Sequence, residues 1–209
     1  MTKILGIGHY SRVGKDTFAN ELIRSIRAIN PEMKIAKISF ASKLKAIAHD
    51  LYGWAGLKDE AYYNDPKTES MRDVKLEPLG MTPVEIWVAF GTPAVRDQVY
   101  DLTWVDYLLK TKRDLDLLII PDVRFPNEAA AIHREGGHLL KIVREGHGPR
   151  NTVADRALLG QPVWDNIVGD SGCDIWTAAK WYADWYCGNA LEPSRPYHEI
   201  RQAILLEAS

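Results

Sequence analysis

The stretch Gly8-His9-Tyr10-Ser11-Arg12-Val13-Gly14-Lys15-Asp16-Thr17 decides how this chain is read. Before it, Lys3 to Gly8 carries Ile4, Leu5 and Ile7 and reads as a short buried strand. After it, Phe18, Leu22, Ile23 and Ile26 recur at helical spacing, so Asp16 to Ala28 reads as a helix, ended by Asn30-Pro31. A glycine-bearing loop between a strand and a helix is the setting of a phosphate-binding loop. Gly14 permits close backbone approach to a phosphate, and the loop amides and helix N-terminus supply donors and a positive dipole end. Lys15 is placed to reach terminal phosphates.

Two departures from the usual pattern stand out. Five residues separate Gly8 from Gly14, one more than usual, and Asp16 follows Lys15 where a serine or threonine hydroxyl normally meets magnesium. A carboxylate beside bound phosphates is repulsive unless compensated. Asp16 is useful there if it faces Mg²⁺ or takes a proton from an acceptor, and Thr17 can supply the hydroxyl from the next position. Arg12 can offset charge developing on a transferred phosphoryl group. On local grounds a second reading stays open: a glycine turn before a helix, with Asp16 as a first-turn carboxylate favoured by the dipole.

Outward from the loop, strands and helices alternate. Lys34 to Phe40, Leu115 to Pro121, His138 to Arg144 and Asn166 to Val168 read as strands. Ser42 to Tyr52, Asn127 to Glu135, a segment near Val153 to Leu159, Thr177 to Tyr186 and a terminal segment near Tyr197 to Glu207 read as helices. Val84 to Phe90 is strand-like in composition. Thr82-Pro83-Val84-Glu85, an N-cap followed by proline at N1 and glutamate at N3, makes it a helix. The alternation predicts an α/β fold: a central parallel sheet of about five strands with helices on both faces. Residues 53–81 are polar and irregular, either a functional insertion or a surface excursion.

Ligands sit at the carboxyl ends of strands in such sheets. Asp122-Val123-Arg124-Phe125-Pro126-Asn127-Glu128 follows the most apolar strand, so Asp122 can hold metal-bound water and Arg124 can grip a phosphate. Equally, the two can form an ion pair at the start of the next helix. Arg96 follows the turn-like Gly91-Thr92-Pro93, with Trp104 shortly after. Arg96 fits an acceptor phosphate and Trp104 a base, or they are an exposed arginine and a core tryptophan. Lys43 lies just past the second strand. Arg144 and Arg150 flank a Gly- and Pro-containing loop, which reads as a lid or as a solvated basic hairpin. Trp176, Trp181, Tyr182, Trp185 and Tyr186 read as core or interface, and His133 and His138 as incidental neighbours of a turn.

Composition limits the rest. The 209 residues are 46% hydrophobic and 26% charged with a net charge of -2, so no general attraction to nucleic acid or membrane is expected. Cys173 and Cys187 lack metal-ligand spacing and suit a reducing cytoplasm rather than a disulfide framework. The apolar run at Ile4 to Ile7 is too short for a signal or membrane segment.

Taken in order, Gly14-Lys15-Asp16-Thr17, Phe40-Ala41-Ser42-Lys43-Leu44-Lys45, Gly91-Thr92 with Arg96, Trp104-Val105, Asp122-Val123-Arg124-Phe125-Pro126-Asn127-Glu128-Ala129 and Gly136-Gly137 resemble bacteriophage deoxynucleoside monophosphate kinases, members of the P-loop nucleoside monophosphate kinase superfamily. The resemblance covers residues 3 to 186, and its most specific part is the run from Asp122 to Glu128. It implies a three-layer P-loop kinase fold over residues 1–187, with an acceptor-binding insertion at 53–110, a lid at 144–165 and a tail at 188–209. It implies ATP and Mg²⁺ at Ser11, Arg12, Val13, Gly14, Lys15, Asp16 and Thr17, with Asp16 and Thr17 nearest the metal. It places Lys43, Arg96, Trp104 and Arg124 around the deoxynucleotide, makes Lys15, Asp16, Arg12, Asp122 and Arg124 the catalytic set, and assigns Arg144 and Arg150 to the lid. The implied reaction is ATP plus dNMP giving ADP and dNDP, in the cytoplasm (of the host, if phage-encoded), by a homodimer binding neither nucleic acid nor membrane. The longer loop departs from the family, as does Asn151 to Asp155, which lacks a His-x-Ser-Glu run. The rivals are a kinase for another small acceptor such as dephospho-coenzyme A, and a nucleotide-binding module without transfer.

Overall fold

A computed structural model describes the chain except residues 1, 9, 11, 113, 150–155, 170–173 and 191–209. It divides into two compact units, one formed by Met1–Ile38 with Lys112–Ser209 and the other by Ser39–Thr111.

The first unit is built on five parallel strands: β1 (Lys3–Gly8), β2 (Ile35–Lys37), β3 (Leu117–Val123), β4 (His138–Ile142) and β5 (Asn166–Val168). Their spatial order is β2-β3-β1-β4-β5. β1 is therefore central, and alternate side chains leave it for opposite faces. Leu5 and Ile7 meet Phe18, Leu22 and Ile26 of α1 (Lys15–Ile29) and Ala179, Tyr182 and Ala183 of the last described helix (Ile175–Tyr186) in one fully buried cluster. On the other face, a Cβ at Gly6 would lie 2.7 Å from Ile132 of the helix Pro126–Arg134. Only a glycine lets that helix sit so close. The result is the three-layer α/β arrangement of a P-loop kinase fold, with helices on both faces of an all-parallel sheet. Topology also locates the ligand edge. β1 leads off through α1 to β2 on one side, and β3 leads off to β4 on the other, so the chain parts at the carboxyl ends of β1 and β3.

The second unit is helical: α2 (Ser42–Tyr52), α3 (Glu60–Asn64), α4 (Pro83–Ala89) and α5 (Thr103–Thr111). The two helices already described in the first unit are α6 (Pro126–Arg134) and α7 (Ile175–Tyr186). Ala48, Leu57, Tyr63 and Ile86 form the core of the second unit, with Tyr62 and Trp87 edge-on to Tyr63. At α4 both halves of the capping box are present: Thr82 Oγ1 accepts from Glu85 N, and Glu85 accepts from Thr82 N at 2.8 Å.

Several expectations are corrected. Residues 53–81 are not irregular throughout. They hold α3, capped by Asp59 accepting from Tyr62 N, and two 3₁₀ turns. The expected turn at Gly91-Thr92-Pro93 is a π-helical stretch, Phe90–Arg96. Pro93 has no N–H, and the following amides reach back five residues, Asp97 to Thr92 O and Tyr100 to Val95 O. β2 is shorter than Lys34 to Phe40, because Ser39 Oγ accepts from Ala41 N and turns the chain. β3 runs past Pro121 to Val123 by means of a bulge. Of the helix expected near Val153 to Leu159, residues 153–155 lie outside the described residues, Arg156 is helical and residues 157–160 form a turn, and the helix expected near Tyr197 lies wholly outside the described residues.

His133 and His138 are not incidental. Buried His138 has Asn166 Nδ2 at 2.9 Å and Tyr182 OH at 3.3 Å from Nε2. His133 Nε2 lies 3.0 Å from Asp165, whose Oδ2 also accepts from Leu139 N. Of the aromatic group on α7, Tyr182 and Tyr186 are buried, Trp181 and Trp185 pack against the core, and Trp176 is exposed.

Candidate active site

The loop after β1 is anchored from below. Val13 is buried in the main core and Tyr10 packs against it. Arg12 has φ 61 and Gly14 φ 100, so left-handed residues flank Val13. Such curled backbone is how chains make anion-binding concavities. Arg12 is the one non-glycine residue with positive φ among those described, and side-chain-bearing residues hold that conformation at a cost that favours functional loops. Gly14 is the N-cap of α1 and no side chain caps that helix, so its first-turn amides are not taken by a capping group.

Lys15 opens α1 and is almost wholly buried. Its Nζ donates to the Tyr10 carbonyl across the loop. A lysine so folded lies along the loop rather than out in solvent. Asp16, the next residue, is exposed, and its Oδ1 accepts from Lys37 Nζ at 3.1 Å. The same ammonium donates to Asn20 Oδ1 at 2.8 Å. Lys37 is the last residue of β2, at its carboxyl end. Thr17 is exposed on the same turn of α1 as Asp16.

β3 ends beside the start of the loop, since Gly8 pairs with Val123. Between Gly6↔Ile120 and Gly8↔Val123, β3 spends one residue more than β1. Pro121 cannot donate to the ladder, so a bulge is the expected response, and bulges re-aim side chains next to active sites. Half-buried Asp122 sits in that bulge. Arg124 follows it, its backbone held by Glu128. The Glu128 carboxylate is buried and accepts from Arg124 N at 2.8 Å and Phe125 N at 3.0 Å, which starts α6. A Cβ on Gly8 would fall 2.2 Å from the Trp164 ring and 2.6 Å from the Val123 carbonyl. Trp164 therefore lies flush on the foot of the loop.

The structure thus brings Arg12, Gly14, Lys15, Asp16, Thr17 and Asp122 to one edge of the sheet in the first unit, with Arg124 beside Asp122. Arg144 is exposed just after β4. Ser11 and Arg150 lie outside the described residues. Lys43, Arg96 and Trp104 belong to the second unit. Lys43 Nζ stands 5.6 Å from the Tyr107 ring centre, Arg96 Nε donates to Asp101 O, and Trp104 Nε1 donates to Gly91 O at 3.1 Å. A concavity between α2 and α3 is lined by Asp50, Asp59 and Glu60 and by no lysine or arginine, so it does not suit a phosphate. Lys37 and Trp164 were not legible as site residues from the sequence. Lys37 could have been found by the rule that picked Asp122, position at a strand's carboxyl end. Trp164 carried no local signal.

For magnesium, the donor set fits the usual manner of binding. Mg²⁺ is held by one or two carboxylates together with substrate phosphates rather than by an all-protein cage. Asp16, Thr17 and Asp122 offer that kind of partial set. Among the described residues no three His, Cys, Asp or Glu side chains form a metal cluster of their own. No helix among the described residues is long and apolar enough to cross a membrane.

No family model matches the chain. A protein of Acanthamoeba polyphaga mimivirus, named as a candidate deoxynucleotide monophosphate kinase, is 30% identical over an alignment 148 residues long that covers 64% of this chain and 69% of the viral one. With a five-stranded parallel sheet and a glycine loop closing on a buried lysine already in place, that similarity makes the chain a member of the same nucleotide kinase family.

Proposed function

We propose that the protein transfers the γ-phosphate of ATP to a deoxynucleoside monophosphate, giving ADP and dNDP. The observation that carries this reading is Lys15, a buried lysine at the head of α1 whose amino group is held inside the loop by a carbonyl it can exchange for phosphate oxygens. Transfer of this kind asks for alignment and charge neutralisation rather than covalent help. Lys15 and Arg12 neutralise the donor phosphates, Gly14 and the first amides of α1 hold them, and Asp122 and Arg124 face the reacting groups from the end of β3. Magnesium, when bound, supplies further neutralisation of the phosphates, with Asp16 and Thr17 nearest to it. Lys43, Arg96, Trp104 and Arg124 serve the acceptor, Arg96 and Trp104 from within an acceptor-binding insertion at 53–110. Arg144 and Arg150 belong to a lid at 144–165, and the active form is a homodimer. The viral relative's name supports the deoxynucleotide as acceptor.

The test is ADP release from ATP with each dNMP, each NMP and dephospho-coenzyme A offered separately. Turnover with dNMPs is expected. Turnover only on the non-nucleotide acceptor, or ATP uptake with no transfer to any of them, rejects the reading. Lys15→Ala should lower turnover by at least about 100-fold, the scale of losing one transition-state charge partner. Near-normal turnover in that variant would reject the role of the loop.

A further inference from the structure

Asp16 poses an electrostatic problem that the structure answers. A carboxylate on the first turn of α1 stands where the loop reading puts the polyphosphate, and like charges there oppose binding. Lys37 Nζ meets Asp16 Oδ1 at 3.1 Å and Asn20 Oδ1 at 2.8 Å, so two of the three ammonium donors are directed by α1. Asp16 and Asn20 are one helical turn apart on the face of α1 that looks toward the end of β2. The Lys37 side chain is 28% exposed and that of Asp16 is 74% exposed. A pair this open contributes little to stability. Its value lies in charge and direction: the ammonium cancels the carboxylate and draws it to the β2 side of the helix.

We propose that Lys37 is a positioning residue of the nucleotide site, which neutralises and orients Asp16 so that a carboxylate is tolerated in a phosphate loop that has no hydroxyl at that position. The inference rests on the phosphate-loop reading of residues 8–17. It makes a specific demand on this chain: the need for a cation at position 37 exists because of the anion at position 16.

Titration calorimetry of ATP, without and with magnesium, on the wild type, Lys37→Met, Lys37→Arg, Asp16→Asn and the Asp16→Asn/Lys37→Met double variant tests the coupling directly. Lys37→Met should weaken ATP binding by about tenfold, equivalent to about 1.4 kcal/mol. The loss should already be present without magnesium. Lys37→Arg should recover most of the affinity. In the Asp16→Asn background, Lys37→Met should cost little, since no carboxylate is left to neutralise. The melting temperatures of all five proteins should agree closely, which separates a positioning role from a structural one. A wild-type affinity in Lys37→Met overturns the inference, and so does a tenfold loss that persists in the Asp16→Asn background. Failure of the wild type to bind ATP removes the inference together with the loop reading. ATP binding by the wild type that is indifferent to Lys37 removes the inference alone.

Discussion

Gly169 and Gly136 both have left-handed backbones, φ 97 and φ 70, and both lie in the first unit, yet their surroundings differ. A Cβ on Gly136, just past α6, would meet nothing within 4 Å. A Cβ on Gly169, just past β5, would fall 2.1 Å from the Val143 carbonyl oxygen and 3.3 Å from its carbon. Those are backbone atoms, and Val143 N is itself tied to Val168 O at 2.8 Å, so the obstruction cannot swing aside. Gly136→Ala carries only the cost of an unfavourable φ, about 1–2 kcal/mol. Gly169→Ala carries the same cost plus forced displacement of packed structure, another ~1–3 kcal/mol. In a chain of this size each kilocalorie lowers the melting temperature by about 2–4 °C. Gly169→Ala should therefore melt several degrees below Gly136→Ala. Urea unfolding of the two variants and the wild type should show the difference as a shift of midpoint at unchanged slope. Equal losses in the two variants would refute the close approach of the β5 exit to Val143.

Two further substitutions test how the helices of the first unit are started. Asp174 caps α7, accepting from Trp176 N and from both the amide and the hydroxyl of Thr177. The Thr177 amide is the largest cause holding its carboxyl below the ordinary value. Asp174→Ala should cost about 1 kcal/mol near neutral pH. Because the folded-state value is the lower one, that contribution is complete above the unfolded carboxyl's ordinary range and is lost as pH falls through the depressed folded value. The gap between wild type and variant in urea should close in acid, and a gap independent of pH refutes the cap. Glu128→Ala should strand the Arg124 and Phe125 amides and cost roughly 1–3 kcal/mol, read as a lowered unfolding midpoint. No loss there would mean that the turn after β3 is held by something else.

How much of this was legible in the sequence depends on the range of the forces involved. β1, α1, α2 and β5 follow from local periodicity and turn chemistry, and they lie close to where the sequence puts them. The helix at Pro83–Ala89 shows local capping prevailing over strand-like composition, since Thr82 and Glu85 close a full capping box. The misses are long-range. Nothing local says that Tyr63 will be buried against Trp87, so residues 53–81 read as irregular although they hold a helix. Nothing local says that β3 will continue through Pro121, because the bulge depends on its neighbour β1. At the site, the loop glycines and Lys15 were legible because their spacing is itself the signal. Lys37 was not, because what it does is set by a partner 21 residues away.

The two ends of the sheet also divide their tasks on physical grounds. At the amino ends of β4 and β5, His138, Asn166, Asp165 and Tyr182 bind one another, and aromatic rings of α7 enclose His138. Buried polar groups that satisfy each other specify one register and leave little to spare for a ligand. At the carboxyl ends the situation is reversed. Gly14 leaves the start of α1 without a side-chain cap, Arg12 holds a backbone conformation that side chains disfavour, and Asp16 keeps its charge in solvent. The first two are unfavourable to the protein alone and are relieved once an anion lies across the loop, whereas the Asp16 carboxylate would repel that anion. Lys37 fits the same division, because it makes an exposed carboxylate tolerable at the ligand edge while adding little to the fold.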